Sequence, residues 1–535
     1  MTAIVGAAAA VATPRLPAIP TTMRWRAGLA LLGICAVVIG VVAMDRSPVG
    51  AAVDDAMYVI LAKSLATGQG YRSLNLPGQP QNTHFPPGYP AVLSVLWRAA
   101  PAFPANLIVF RLFNILCIAV AAVATARFVA SRGVRGGWAF GIGAVTAVSV
   151  PLLVLGGLLL SEPLFIAILL ILLAALERFA SPVSPEATRA PWHGALLGVS
   201  IGLAMLVRTH GIVLIPAMLI VLGAQRRWRD AAVVTACAAA CLLPWQLFSR
   251  EHANTLPAPL LGGYDSYTAW WVRGLHEWGW GMIPHTLGRT MPEAAGMFAA
   301  LFSPGRSVPA HAVTGVALIV LVIAAVVAWW RRIPVTILFL AGYLAIVAVW
   351  PFQPGRFIWG VWPLILVLLA LGGRAAFQSG LSWHRGVRAV VLASFCWAAT
   401  GYALYEVRAI RGQWWSSIPR GAVDRIRFAV GWTRANTRSG DVVATEDEGP
   451  VYLYTGRSSV PVRSFTVDQY LATPSPEQDV KRGLVPLLAA YPVRAVIAST
   501  QLARDEARYL ASLPNSLLVP QGQFAAGDAY LVRGR

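Results

Sequence analysis

The residues best suited to chemistry are few and recur at the ends of apolar runs. Asp54 and Asp55 open the segment DDAMYVILAKSLATGQGY (54–71), shortly after the first such run, Ala27 to Met44, ends. A carboxylate held near an apolar surface and partly desolvated can take a proton from an acceptor hydroxyl or amine. One aspartate in a helical first turn is explained by capping and the helix dipole. Two in succession beside a membrane, where charge is costly, point to function. Glu162 lies in LSEPLF (160–165), between two apolar runs that leave almost no loop, and Ser161 beside it also suits a helix start. Arg208 and His210 interrupt an otherwise apolar stretch in LVRTHG (206–211), and Arg356 falls in WPFQPGRF (350–357). Arginine offers a fixed fork for phosphate oxygens, although its stem also lets it snorkel to lipid headgroups.

These groups need a membrane scaffold. The 535-residue chain is 57% hydrophobic and 12% charged, against about 25% charged in ordinary soluble domains. Apolar runs lie near 27–44, 107–130, 137–156, 159–178, 193–207, 211–224, 231–248, 311–330, 333–350, 357–373 and 387–405, eleven candidate spans. Arg15, Arg24 and Arg26 precede the first, which reads as an uncleaved signal anchor with residues 1–26 in the cytoplasm. Alternate loops then carry Arg132 and Arg135, Arg178 and Arg189, Arg226, Arg227 and Arg229, Arg331 and Arg332, and Arg374, Arg385 and Arg388. That bias makes them the inner loops. Asp54, Asp55, His84, Glu162, Arg208 and Arg356 all map to the opposite face, and an odd span count puts the C terminus there too. The expected arrangement is an all-α polytopic membrane domain, 27–410, with long outer segments 45–106 and 249–310, followed by a small extracytoplasmic α/β domain, 421–535.

Within the outer segments, 54–67 reads as an amphipathic helix ended by Gly68 and Gly70, and HFPPGYP (84–90) as a turn before a short helix. Trp270, Trp271, Trp278 and Trp280 suit an interfacial belt, or stacking on a sugar. In the tail, a helix over 422–435 precedes strand-like 441–445, 450–456, 494–500 and 528–534. The acidic run Glu446, Asp447, Glu448 reads as a solvated turn. The net charge of +20 is spread between apolar runs without a basic stripe, which argues against nucleic acid. Cys35, Cys117, Cys237, Cys241 and Cys396 all fall in apolar runs, so neither a disulfide framework nor a thiolate metal site is expected. No glycine-rich nucleotide fingerprint occurs. The one-sided polar cluster and lack of repeats favour an enzyme acting on a lipid-linked phosphate over a transporter, whose charged sites lie near the midplane. A transporter or flippase of a lipid-linked envelope precursor is the alternative, and a non-catalytic scaffold a third.

In order and sidedness, 54–71, HFPPGYP, LSEPLF, LVRTHG and GRFIWGVWPLILVLLALGG (355–373) resemble the GT-C fold glycosyltransferases that use polyprenyl-phosphate sugars. That superfamily includes protein O-mannosyltransferases and the aminoarabinose and galacturonosyl transferases acting on lipopolysaccharide. The resemblance covers most of 27–373. It implies inverting transfer in the bacterial cytoplasmic membrane, from a polyprenyl-phosphate-linked sugar to an envelope glycan, glycolipid or protein. Asp54 would be the base, Asp55 its support and Glu162 the second acid. Where the aminoarabinose branch has a lysine before the Pro-Pro turn, this chain has Phe85 preceded by His84. The phosphate- or substrate-binding set is thus His84, Tyr89, Arg208, His210 and Arg356. A divalent metal serves some branches, and the residues here require none.

Overall fold

The computed structural model describes residues 22–181, 191–253, 256–378, 383–463, 466–472 and 475–534. Residues 1–21, which include Arg15 and most of the expected cytoplasmic segment 1–26, lie outside them, as does Arg189. The protein is a multi-pass helical membrane protein with a small C-terminal sheet. Among the described residues, six helices are long and apolar enough to cross a bilayer: Met23–Val42, Leu107–Ser131, Glu162–Ala180, Trp228–Glu251, Val308–Trp329 and Arg385–Arg411. Gly136–Val148 and Val150–Gly157, bent by 48°, make a seventh if taken together. Ser149, at φ −58° and ψ 120°, leaves the helical conformation between the two, and Pro151 sits in the first turn of the second.

All eleven apolar runs are helical, but the expected count of eleven spans is not reached by length and composition. Trp192–Val207, Thr209–Ala224, Pro334–Val349 and Trp362–Ala375 are shorter apolar helices. At 1.5 Å per residue, a helix needs about 20 residues to cross the ~30 Å hydrocarbon core. The shortening has local causes. Arg208 is extended (φ −146°, ψ 125°) and divides one apolar stretch, and Pro354–Trp359 forms a separate short helix before Trp362.

Helix contacts rest on small residues, as expected where lipid supplies no hydrophobic drive between helices. Gly198 and Gly202 let Pro191–Val207 press against Trp228–Glu251. A Cβ at Gly202 would lie 3.0 Å from the Ala238 carbonyl oxygen and collide with Cys241, and one at Gly198 would collide with the Val234 carbonyl.

The C-terminal sheet has the order β2-β1-β3-β5-β4, with β1 Val442–Thr445, β2 Ser458–Val460, β3 Val493–Ala498, β4 Leu518–Phe524 and β5 Gly527–Val532. The first three are parallel, and β5 runs antiparallel to β3 and β4. The expected strand at 450–456 is instead the helix Glu448–Thr455. Glu448 opens its first turn and Gly456, at φ 75°, closes it in the left-handed conformation that glycine tolerates.

That helix packs on Asp54–Ala66, which corrects two further expectations. Asp54–Ala66 is not amphipathic, because every residue from Asp55 to Ala62 is buried. The acidic run is not a solvated turn either, since Asp447 and Glu448 are both buried. Asp447 pairs with Arg425, Glu446 accepts from the backbone N–H of Ser499 and Thr500, and Glu448 accepts from Tyr264. Burial pushes the Glu448 carboxyl up to about 8, so at neutral pH it docks largely as the neutral acid. The tryptophans do not form one belt: Trp270 is buried with Met282, Val467 and Leu471, and Trp280 is exposed.

Gly202→Leu overpacks the glycine seam, and such insertions cost about 1–3 kcal/mol. The expected outcome is a melting temperature several degrees lower in detergent, measured by intrinsic fluorescence. An unchanged value would show that these two helices do not carry the packing.

Candidate functional site

The broken helices place their loose ends around one cleft. Val53, the residue before Asp54, has φ 61° and ψ −63°, and the Asp54 N–H bonds back to the Ala52 carbonyl at 2.7 Å. This is a strained γ-turn on a β-branched residue. Asp55 holds it, because its buried carboxylate accepts from the N–H groups of Gly50 (2.9 Å), Ala52 (3.3 Å) and Ala56 (3.0 Å). Burial raises the pKa of Asp55 against the lowering effect of these bonds. Asp55 therefore faces backbone, and Asp54 faces the cleft.

Asp54, Tyr58, Phe85, Ser161, Arg208, His210, Tyr267, Trp350, Arg356 and Phe357 contribute to the lining of about 390 Å³ of empty space. At its base Glu162 is wholly buried, and its Oε1 meets two guanidinium groups, Arg208 Nη1 at 2.9 Å and Arg356 Nε at 2.6 Å. Arg356 Nη1 then reaches Asp54 Oδ2 at 2.7 Å. The result is a chain of alternating charge, Asp54–Arg356–Glu162–Arg208, drawn from four separated segments. Arg208 also donates to Ser161 Oγ at 3.1 Å, and Ser161 exchanges a hydrogen bond of 3.2 Å with the Tyr58 hydroxyl. Ser161 accordingly makes no side-chain capping bond to its helix. Two buried polar atoms of cleft-lining residues, Arg208 Nε and His210 Nε2, have no hydrogen-bond partner in the protein. A polar ligand would satisfy them.

The other anticipated residues stand further back. His84 donates from Nδ1 to the Asp265 carbonyl at 2.6 Å and packs its ring 4.2 Å from Tyr267, behind the cleft wall. Burial keeps its imidazole below the usual pKa. Tyr89 is fully buried and donates to Asn114 Oδ1 at 3.0 Å; its ring packs edge-on against Tyr58. It supports the lining without reaching the cleft. His210 does line the cleft, among the rings of Tyr343, Trp350 and Phe357. Tyr58, Ser161 and Tyr267 were not anticipated. Tyr58 lies one helical turn after Asp54 and Ser161 directly before Glu162, so spacing could have found both; nothing local marks Tyr267. Among the described residues, no group of three or more His, Cys, Asp or Glu side chains converges to hold a metal ion. Asp54 and Glu162 are both engaged by guanidinium groups.

The architecture is that of a multi-pass membrane protein of the GT-C fold. The crystal structure of ArnT from Cupriavidus metallidurans bound to undecaprenyl phosphate aligns over 94% of this chain and 97% of that one, with TM-score 0.54 and 13% sequence identity. ArnT from the same organism in the apo state aligns over 94% and 98%, with TM-score 0.46 and 15% identity. The mycobacterial arabinofuranosyltransferase AftD aligns over 96% of this chain and 42% of its own, with TM-score 0.44 and 15% identity. No family model and no curated protein matches the sequence.

The ion chain predicts an order of stability losses. Removing the shared buried partner, Glu162→Ala, leaves Arg208 without its carboxylate and should cost about 3–5 kcal/mol. Asp54→Asn, at the partly exposed end, should cost less than about 1 kcal/mol. Thermal unfolding of the two purified variants would show the order, and equal losses would contradict it.

Proposed function

We propose that this protein is a glycosyltransferase that moves a sugar from a polyprenyl-phosphate donor to an envelope glycan, lipid or protein on the extracytoplasmic face of the bacterial cytoplasmic membrane. The observation that carries the reading is the placement of a cleft-facing carboxylate, Asp54, on the same guanidinium, Arg356, that a donor phosphate would seek. The ArnT neighbour of this fold, bound to undecaprenyl phosphate, supports that class of donor. The arginine-rich alternate loops support the orientation, with the N terminus cytoplasmic and the cleft and C-terminal domain outside. The domain limits proposed are 27–410 for the membrane transferase and 421–535 for the extracytoplasmic domain.

In this reading the acceptor hydroxyl or amine attacks the anomeric carbon from the face opposite the phosphate. The new bond forms as the carbon–oxygen bond to phosphate breaks, so configuration inverts. The acceptor proton passes to Asp54, and the leaving polyprenyl phosphate keeps the bonding electron pair. Arg208 and Arg356 stabilise the charge that develops on it. Glu162 is a positioning residue that aims both arginines, and Asp55 positions Asp54 through the turn at Val53. Arg356 has a double task. Paired with Asp54 it holds the base in place, and as it turns to the arriving phosphate it releases Asp54 for the acceptor. His84 and Tyr89 brace the wall behind Tyr267 and Tyr58. With both carboxylates held by guanidinium groups, the cleft as arranged offers a dication no ready site.

Asp54→Asn should lower transfer from a radiolabelled polyprenyl-phosphate sugar by about 10²–10⁴-fold, the usual contribution of a general base. Expression and binding of polyprenyl phosphate should be retained. Near-normal transfer would reject Asp54 as the base. Mass spectrometry of envelope glycolipids and glycoproteins from cells with and without the protein identifies the acceptor.

A further inference from the structure

A second cationic cavity lies at the same end of the helix bundle, outside the candidate cleft. It is an open hollow of about 840 Å³, part of it continuous with solvent, between the exit of the first span, the start of Leu107–Ser131 and the C-terminal domain helix Ser417–Asn436. Three guanidinium groups from those three segments line it: Arg46, Arg111 and Arg427. Its apolar floor includes Leu107, Ile108, Ile426 and Val430.

The arginines are not consumed by structural pairing. The side chains of Arg46 and Arg427 are exposed and take part in no hydrogen bond or ion pair among the described residues. Arg111 is only 6% exposed, and its buried Nε has no partner; its Nη2 donates to the Ser47 carbonyl. That nitrogen is a donor a ligand oxygen could fill, as are the exposed guanidinium groups of Arg46 and Arg427. The carboxylates whose field reaches Arg111 are Asp45 and Asp55. Asp45 accepts from the Ser47 N–H, and Asp55 is turned to the backbone of Gly50, Ala52 and Ala56. Neither forms an ion pair with any of the three arginines.

The level of the cavity limits what it would take. Arg46 closely follows the end of the Met23–Val42 span, and Leu107 and Ile108 open the Leu107–Ser131 span, with Ile108 42% exposed on its outer surface. If the ends of these two spans mark the edge of the hydrocarbon layer, Arg46 lies just outside it and Arg111 one turn inside, with the apolar floor continuing along the span. We propose that this cavity binds the phosphate ester headgroup of an anionic lipid. The phosphate oxygens sit among Arg46, Arg111 and Arg427, and the lipid chain runs along Leu107 and Ile108. Arginine forks suit this better than point charges, because they pair with phosphate in parallel hydrogen bonds.

The bound headgroup would join the C-terminal domain to the membrane helices. It would also brace the loop that ends in the catalytic segment. Arg111 holds Ser47, the Tyr454 hydroxyl accepts from the Val49 N–H at 3.2 Å, and Gly50 donates to Asp55. The inference does not depend on which reaction the cleft performs.

Native mass spectrometry of the full-length protein in detergent, titrated with phosphatidylglycerol, phosphatidylcholine or farnesyl phosphate, tests it. The wild type should bind phosphatidylglycerol at least tenfold more tightly than phosphatidylcholine. R46Q/R427Q, which changes two exposed side chains and leaves Arg111 in place, should lose that preference, and R46K/R427K should keep most of it. Loss of one farnesyl phosphate equivalent in R46Q/R427Q would extend the site to polyprenyl phosphates, and no such loss would confine it to phospholipids. Equal binding of the two phospholipids by the wild type, or an unchanged preference in R46Q/R427Q, would overturn the proposal.

Discussion

The arrangement at the cleft depends on one buried carboxylate. Glu162, with no solvent exposure, meets two guanidinium groups at 2.9 and 2.6 Å. An isolated charge at that depth is prohibitive, and pairing with strong donors is what makes it tolerable. The pairing also sets geometry. Arg208 comes from a break between two short helices and Arg356 from a six-residue helix ahead of Trp362, and neither segment has regular structure enough to aim a long side chain by itself. A salt bridge of this kind is weak evidence for stability. Its value here is that it brings remote segments to one point.

A second constraint acts on the opposite wall. The Val53 turn is a conformation that a β-branched residue adopts only under compulsion. Asp55 supplies it through three backbone hydrogen bonds, and the C-terminal helix Glu448–Thr455 covers the far side of Asp54–Ala66. A Cβ at Gly449 would collide with the Cβ of Ala56, so the two helices approach closely there, and Lys63 donates to the Tyr452 hydroxyl further along the same contact. The small C-terminal domain is thus part of the scaffold that holds the aspartate pair.

Much of this was legible in the chain because membrane sequences are constrained twice. The eleven apolar runs all appear as helices, since a lipid environment leaves the backbone no other open conformation. Asp54, Arg208 and Arg356 were recognisable as polar residues where apolar ones are cheapest. Which runs cross the membrane was not legible, because the breaks at Arg208 and Pro354 shorten helices in ways that hydropathy averages over. The helix Glu448–Thr455 reads as a strand over 450–456 because Tyr452 and Tyr454 alternate with Val451 and Leu453, although Glu448 and Gly456 are fair helix signals. Burial of the acidic run came from docking against Tyr264 and Ser499, long-range contacts with no local trace. Tyr89 drew attention from its motif, and its depth below Tyr58 is a property of the packed fold.

The sharing of Arg356 between a proposed base and a proposed phosphate is the centre of the functional account. A cryo-electron microscopy structure of the protein with bound polyprenyl phosphate tests it most directly. The expected structure has the phosphate in the cleft, Arg356 Nη1 turned from Asp54 Oδ2 to a phosphate oxygen, and Arg356 Nε still on Glu162. A phosphate bound away from Arg208 and Arg356, with the Asp54–Arg356 pair intact, would contradict it.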